Sequence, residues 1–206
     1  MRSRILFTLC FVSVLMGQAT FTAADIATSA MGANSVFVAD MDNDGDMDIV
    51  SAESGDNTIA WYENNGASDP SFTAADIATS ADGAYSVFAA DMDNDGDMDI
   101  VSASRDDDTI AWYENNGAAD PSWTAADIAT SADVASSVFA ADMDNDGDMD
   151  IVSASRDDNT IAWYENTMDK GMISGWTAAD IATTSAQAAK SVFAADMDND
   201  GDMDIV

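Results

Sequence analysis

The sequence predicts an all-β fold assembled from a repeated four-stranded antiparallel unit, and three observations carry that prediction. The stretch Asp-Met-Asp-Asn-Asp-Gly-Asp-Met-Asp-Ile-Val occurs four times unchanged, beginning at Asp40, Asp91, Asp142 and Asp196. Its starts are separated by 51, 51 and 54 residues, the mark of an internal repeat. Between the copies lie short segments rich in β-branched and aromatic residues, each bounded by turn residues. Four short strands in a unit of about fifty residues is the arithmetic of a β-propeller blade.

The second unit shows the elements in order. Ser86-Val-Phe-Ala-Ala is the first strand, the acidic stretch is a loop, and Ile100-Val-Ser-Ala-Ser is the second strand. A polar turn at 105–108 leads to the third strand, Thr109-Ile-Ala-Trp-Tyr-Glu-Asn. Asn116-Gly117 and Asp120-Pro121 are turn formers. The alanines of Trp123-Thr-Ala-Ala-Asp-Ile-Ala-Thr would suit a helix, but its brevity, aromatic start and place after three strands make it the fourth strand. The units run over about 35–79, 86–130 and 137–183, with a partial one at 191–206 and a longer connection around 167–175. Phe21 to Thr28 reads as one more fourth strand ahead of the first unit. The expectation is a propeller of about three and a half blades, incomplete as a ring. Its open blade edges would be prone to self-association.

Residues 1–19 read as a secretory signal peptide. Arg2 and Arg4 precede an apolar run from Ile5 to about Gly17, and Gly17-Gln18-Ala19 supplies small residues for cleavage. That run is short for a membrane span, and nothing in 20–206 is apolar enough to insert after cleavage. Cys10, the only cysteine, lies in this leader, so the remainder has no disulfide and needs another staple. Without the leader, four basic residues stand against 39 acidic ones, a net charge of −35. Nucleic acid and anionic membranes are poor partners for such a surface. An extracellular protein or a glycan is the partner class expected instead.

The acidic loops explain over half of that charge. Two unit charges about 4 Å apart repel by roughly 4 kcal/mol at an effective dielectric near 20, so a tight turn of five aspartates needs a cation at its centre. Asp40, Asp42 and Asp44 alternate and can turn inward, Gly45 permits the bend, the carbonyl of Asp46 can serve as a ligand, and Asp48 closes the shell. The same roles fall to Asp91, Asp93, Asp95, Asp97 and Asp99, to Asp142, Asp144, Asp146, Asp148 and Asp150, and to Asp196, Asp198, Asp200, Asp202 and Asp204. An all-oxygen, anionic, flexible site suits Ca2+, about one ion per repeat and up to four in all. An EF-hand would place a glutamate at position twelve between helices. Here that position is Ser51, Ser102 or Ser153, the last carboxylate is at position nine, and the flanks are strand-like.

Other chemistry is set aside. Paired carboxylates can hydrolyse glycosides, but a constellation repeated identically in every unit argues for a scaffold over a single asymmetric active site. With no histidine in the chain, a histidine-dependent triad is unavailable. Trp61, Trp112 and Trp163 repeat in register on a strand, which reads as packing between blades; the sharper reading makes them stacking platforms of a carbohydrate-binding lectin. A unique function should sit where the repeats differ: 53–57, Tyr85, Lys190 and the insertion containing Lys170.

The unit resembles the FG-GAP/VCBS repeat family, known from the heads of integrin α chains. Asp40-x-Asp42-x-Asp44-Gly45-x-x-Asp48 with its three copies, the following Ile-Val, and Trp-Tyr-Glu-Asn at 61–64, 112–115 and 163–166 carry the resemblance. Ser-Ala-Glu or Ser-Ala-Ser stands where integrin-like repeats have Gly-Ala-Pro, which places the chain nearer the VCBS type. The resemblance implies a first strand lining a central axis and calcium in the hairpin between the first and second strands. It also implies ligand contact at the opposite face, formed here by 54–57, 105–108 and 156–159 with 30–34, 81–85, 132–136 and 185–190. The function expected is a secreted, calcium-binding, non-catalytic scaffold for adhesion or ligand binding. A propeller module of a larger extracellular enzyme is the alternative beside the lectin.

Overall fold

The computed structural model describes residues 22–167, 176–182 and 186–206. The signal-peptide reading of 1–19 and the insertion containing Lys170 lie outside those residues. Among the described residues there is no helix, and strands account for the regular structure.

Three four-stranded antiparallel sheets follow one another along the chain. They are β1 (Ala33–Ala39) to β4 (Phe72–Ala78) through β2 (Asp48–Glu53) and β3 (Thr58–Asn64); β5 (Ala84–Ala90), β6 (Asp99–Ser104), β7 (Thr109–Asn115) and β8 (Trp123–Ala129); and β9 (Ala135–Ala141), β10 (Asp150–Ser155), β11 (Thr160–Asn166) and β12 (Trp176–Ala182). Strand order within each sheet is chain order, so every blade is a simple meander. A two-stranded hairpin, β13 (Ala194–Ala195) and β14 (Asp204–Ile205), follows. The all-β, repeated-blade architecture and the strand reading of the alanine-rich fourth segment both hold.

The blades stack face to face, and strand alternation decides which residue meets which neighbour. Val50, Ala52, Ile59 and Trp61 of the first blade pack against Val87, Ala89, Ile100, Ala111 and Tyr113 of the second. On the other face of the second blade, Val101, Ala103, Ile110 and Trp112 meet Val138, Ala140, Ile151, Ala162 and Tyr164 of the third. The central strand β6 is therefore buried on both sides along its whole length. Small residues such as Ser102 and Ala103 let the sheets approach, and fully burying each Val or Ile contributes about 1.5–3 kcal/mol. Trp61 and Trp112 lie inside these interfaces, so their rings are packing elements and offer no face to a sugar.

Along the inner edge, Phe37, Phe88, Phe139 and Phe193 form a ladder with ring centroids 4.5, 4.6 and 4.8 Å apart. The serine before each Val-Phe has a role that its sequence context did not reveal. Ser35 Oγ accepts from Val87 N, Ser86 Oγ from Val138 N and Ser137 Oγ from Val192 N, the first two joining β1 to β5 and β5 to β9 and the third joining β9 to the segment just before β13.

The expected strand at Phe21 to Thr28 is not there: residues 22–32 contain no strand. The equivalent segments β4, β8 and β12 each pair with a third strand of their own sheet, whereas this one has no such partner among the described strands. It lies instead over the open face of the first blade. There Ala24, Ile26 and Ala27 line a cavity of about 330 Å³ with Val36, Val38 and Tyr62.

The asparagine ending each Trp-Tyr-Glu-Asn strand ties blades together. Asn115 Nδ2 donates to Met41 O of the preceding blade at 2.8 Å and to Met98 O of its own at 3.1 Å. Asn166 repeats the link to Met92 O at 2.7 Å. Both side chains are buried, whereas Asn64, in the first blade, makes an exposed bond to Met47 O. Asn115→Ala should cost about 1–3 kcal/mol in denaturant unfolding, because a buried carbonyl loses its donor, and Asn64→Ala should cost less.

Candidate metal centre

Each acidic loop bridges the first two strands of its unit: β1 to β2, β5 to β6, β9 to β10 and β13 to β14. Two backbone positions set its curl. Asn43, Asn94, Asn145 and Asn199 sit at φ of 59°, 60°, 61° and 62°, a left-handed conformation that asparagine tolerates. Gly45, Gly96, Gly147 and Gly201 lie at 95–100°, where a side chain is strained. A Cβ there would meet nothing within 4 Å, so conformation rather than space demands glycine.

The curl aims backbone amides at the carboxylates. Asp44 N donates to Asp40 Oδ1 at 3.1 Å and to Asp42 Oδ1 at 3.2 Å, and Gly45 N donates to Asp40 Oδ2 at 3.0 Å. Asp46 N donates to Asp44 Oδ1 at 2.8 Å. The same bonds recur around Asp91, Asp142 and Asp196. Asp48 is fastened from below: buried at the start of β2, it accepts from Met41 N at 3.1 Å and from Asn64 N at 2.8 Å. Met41 and Met92 pack wholly buried beneath their loops, while Met47 is exposed.

The result is a cluster of carboxylate oxygens at every loop. Asp40, Asp42 and Asp48 offer oxygens within 4.8 Å of one another, as do Asp91, Asp93 and Asp95, then Asp142, Asp144 and Asp146, then Asp196, Asp198 and Asp204. Positions one and three thus converge in all four copies, position five in two and position nine in two.

The side chains at position seven belong to none of these groups. Asp97 Oδ1 accepts from Asn43 Nδ2 of the preceding loop, Asp148 from Asn94, and Asp202 from Asn145 at 2.7 Å. The sequence expectation at this position rested on its carbonyl, and the carboxylate joins successive loops. Repetition of the asparagine in every copy was the available signal for this link.

Electrostatics follow from crowding and burial. Asp42 and Asp93 are held above the ordinary carboxylate value, first by burial, with neighbouring aspartates adding to it. Burial pushes Asp99 up to about 7 against the amides of Asn115 and Met92, with a weaker opposing pull from the nearby Trp112 indole, whose N–H makes no hydrogen bond of good geometry. Asp150 is raised for the same leading reason. Three converging carboxylates at each loop, with no histidine or cysteine among them, fit a hard, oxygen-seeking divalent cation.

The loops also lean on the Asn-Gly turns after the third strands. A Cβ on Gly117 would stand 2.0 Å from Asp97 Oδ2, and on Gly66 2.0 Å from Asp46 Oδ2. Gly117 is in addition at φ 65°. Gly117→Ala should therefore lower thermal stability by more than the ~1–2 kcal/mol of left-handed strain alone. Gly147, at φ 100°, lies beyond the left-handed region other residues reach, so alanine there should be destabilising through backbone strain although it meets no neighbour; thermal unfolding of the two variants checks both.

At the opposite end of the blades the expected turn face is assembled. Arg105 N donates to Gly83 O and Arg156 N to Val134 O, joining the turns after β6 and β10 to the connections into β5 and β9. Asn57, Asp108 and Asn159, all at left-handed φ, take the amides of Gly83, Val134 and Ala188 in the next unit. Glu53, one of the residues that vary between repeats, is buried and accepts from Ser51 Oγ and Tyr62 OH, both at 2.6 Å. Burial and that bond push Tyr62 up to about 12.

The family model for the FG-GAP-like repeat matches residues 40–102, 91–153 and 142–206. Each match opens on one acidic loop and runs through the next. No curated protein is similar enough to this chain to count as a match. With matches running from Asp40 through Val206, the chain belongs to the FG-GAP-like repeat family.

Proposed function

We propose that this chain is a secreted, calcium-stabilised, propeller-like binding scaffold without catalysis of its own, its leader at 1–19 removed. The observation that carries the reading is the clustering of carboxylate oxygens within 4.8 Å at each of four identical loops. Membership of a repeat family associated with extracellular binding modules supports it. Among the described residues no helix is long and apolar enough to cross a membrane.

The residues that would hold the ions are Asp40, Asp42, Asp44 and Asp48 with the carbonyl of Asp46, and their equivalents in the other three loops. Bound calcium supplies the positive charge that the crowded carboxylates lack. The chain's own part is positioning: Met41 N and Asn64 N hold Asp48, while Asp44 N and Gly45 N hold Asp40. Because Asn43 of one loop reaches Asp97 of the next, ordering one loop favours order in its neighbour. The turns at the other end are then presented as a fixed surface for an extracellular protein or glycan.

Extracellular modules bind calcium at about 0.1–1 mM, so 10 mM calcium contributes roughly 1.4–2.7 kcal/mol for each site. Across four sites, chelation should lower the melting temperature by roughly 10–40 °C. Calorimetric titration should count one ion fewer in Asp42→Asn. An unchanged melting temperature on chelation would defeat this reading.

A further inference from the structure

Among the described residues of this acidic molecule the basic side chains gather at one place. The described residues include Arg105, Arg156 and Lys190, and all three line a single cavity of about 150 Å³ together with Tyr85, Val134 and Ser136. It lies at the turn face, at the far end of the blades from the acidic loops, and takes residues from three successive units. In a chain with 39 acidic and 6 basic residues, this gathering runs against the overall charge.

All six lining residues stand at positions where the otherwise near-identical repeats differ. Aligned on Ser-Val-Phe, the position held by Asn34 in the first blade is Tyr85, Ser136 and Lys190 in the others. Arg105 and Arg156 replace Ser54. Val134 stands where the first two units have Gly32 and Gly83, at φ 56°, a strained conformation for a β-branched residue. Strain of that kind collects at ligand clamps and switches.

The cations are held yet free to bind. Arg105 Nε donates to Asp106 at 3.1 Å, and its guanidinium carbon lies 5.6 Å from the Tyr85 ring centroid. Arg156 Nε donates to Asp157 at 2.7 Å. Among the described residues no hydrogen bond engages the terminal Nη atoms of either arginine or Lys190 Nζ, and both guanidinium groups reach solvent. Planar guanidinium groups match a carboxylate in paired geometry. Asp106 and Asp157, paired with the arginines, and Asp133, whose charge acts on Arg156, stand outside the lining, where their remaining carboxylate oxygens offer acceptors for hydroxyl groups at its margin.

We infer that this cavity binds the carboxylate-bearing ring of an acidic sugar, a hexuronate at the end or branch of an extracellular glycan. Arg105 and Arg156 take the carboxylate, Lys190 adds charge, Tyr85 borders the ring and the neighbouring aspartates accept its hydroxyls. The cavity falls below the roughly 300–1,000 Å³ of sites that enclose a drug-sized ligand, which suits a single ring. An acidic peptide has the carboxylate but lacks the hydroxyls, and its further acids would meet Asp106, Asp133 and Asp157. The inference rests on the reading of the chain as an extracellular binding module.

The test is calorimetric titration of the calcium-loaded full chain with glucuronate, glucose, acetate and a short acidic peptide. Glucuronate is expected to bind at least tenfold more tightly than the other three and to weaken as salt rises. Arg105→Gln and Arg156→Gln should each reduce that affinity at least tenfold with the melting temperature unchanged, and the lysine variants should restore part of it. Glucuronate binding no tighter than glucose or acetate, a peptide binding more tightly, or affinity untouched in the glutamine variants would overturn the inference. If calcium still stabilises the chain in that event, the scaffold reading stands and only the ligand assignment falls.

Discussion

Repulsion among clustered carboxylates is the constraint that organises this molecule. Each loop brings at least three carboxylate oxygens within 4.8 Å of one another. Backbone amides offset part of the cost: the left-handed asparagine and the wide-φ glycine turn Asp44 N and Gly45 N onto Asp40. Amides carry no net charge, however, and Asp42, Asp93, Asp99 and Asp150 are all raised, by burial first and by neighbouring aspartates after it. On the proposed reading a divalent cation would answer that deficit, held by the oxygens that converge at each loop.

That local problem is coupled to blade packing by two short links. Asp48 and its equivalents begin the second strand of each unit, so whatever holds them also sets the register of the hairpin. Asn115 and Asn166 reach across to Met41 O and Met92 O at the base of the preceding loop, beside fully buried methionines. Loop order and blade stacking therefore stabilise the same elements. A chain whose only cysteine lies at position 10 has this coupling in place of disulfides.

Most of the fold was legible because the repeat states the same answer several times. The Thr-Ile-Ala-Trp-Tyr-Glu-Asn strand was read residue for residue as β7, and the acidic stretch as a hairpin loop. The segment read as a strand from Phe21 to Thr28 was misread over its described residues, 22–28, because its sequence copies β4, and a sequence copy does not reveal whether a partner strand lies beside it. Links between blades were illegible for a related reason. Ser86 bonding Val138, Asn43 bonding Asp97 and Asn115 bonding Met41 join residues about 50 or more apart, where only the stacking geometry shows who meets whom. The variable positions at Tyr85 and Lys190 were picked out from the sequence, but their convergence with both arginines on one cavity was not.

Hydrogen exchange of the calcium-loaded and calcium-free protein tests the central claim most directly. The amides to follow are Asp44 and Gly45, which face Asp40, and Met41 and Asn64, which face Asp48. The account predicts that removing calcium exposes these amides first and then loosens the inner strands they adjoin. Equal protection of all four in both states would contradict it.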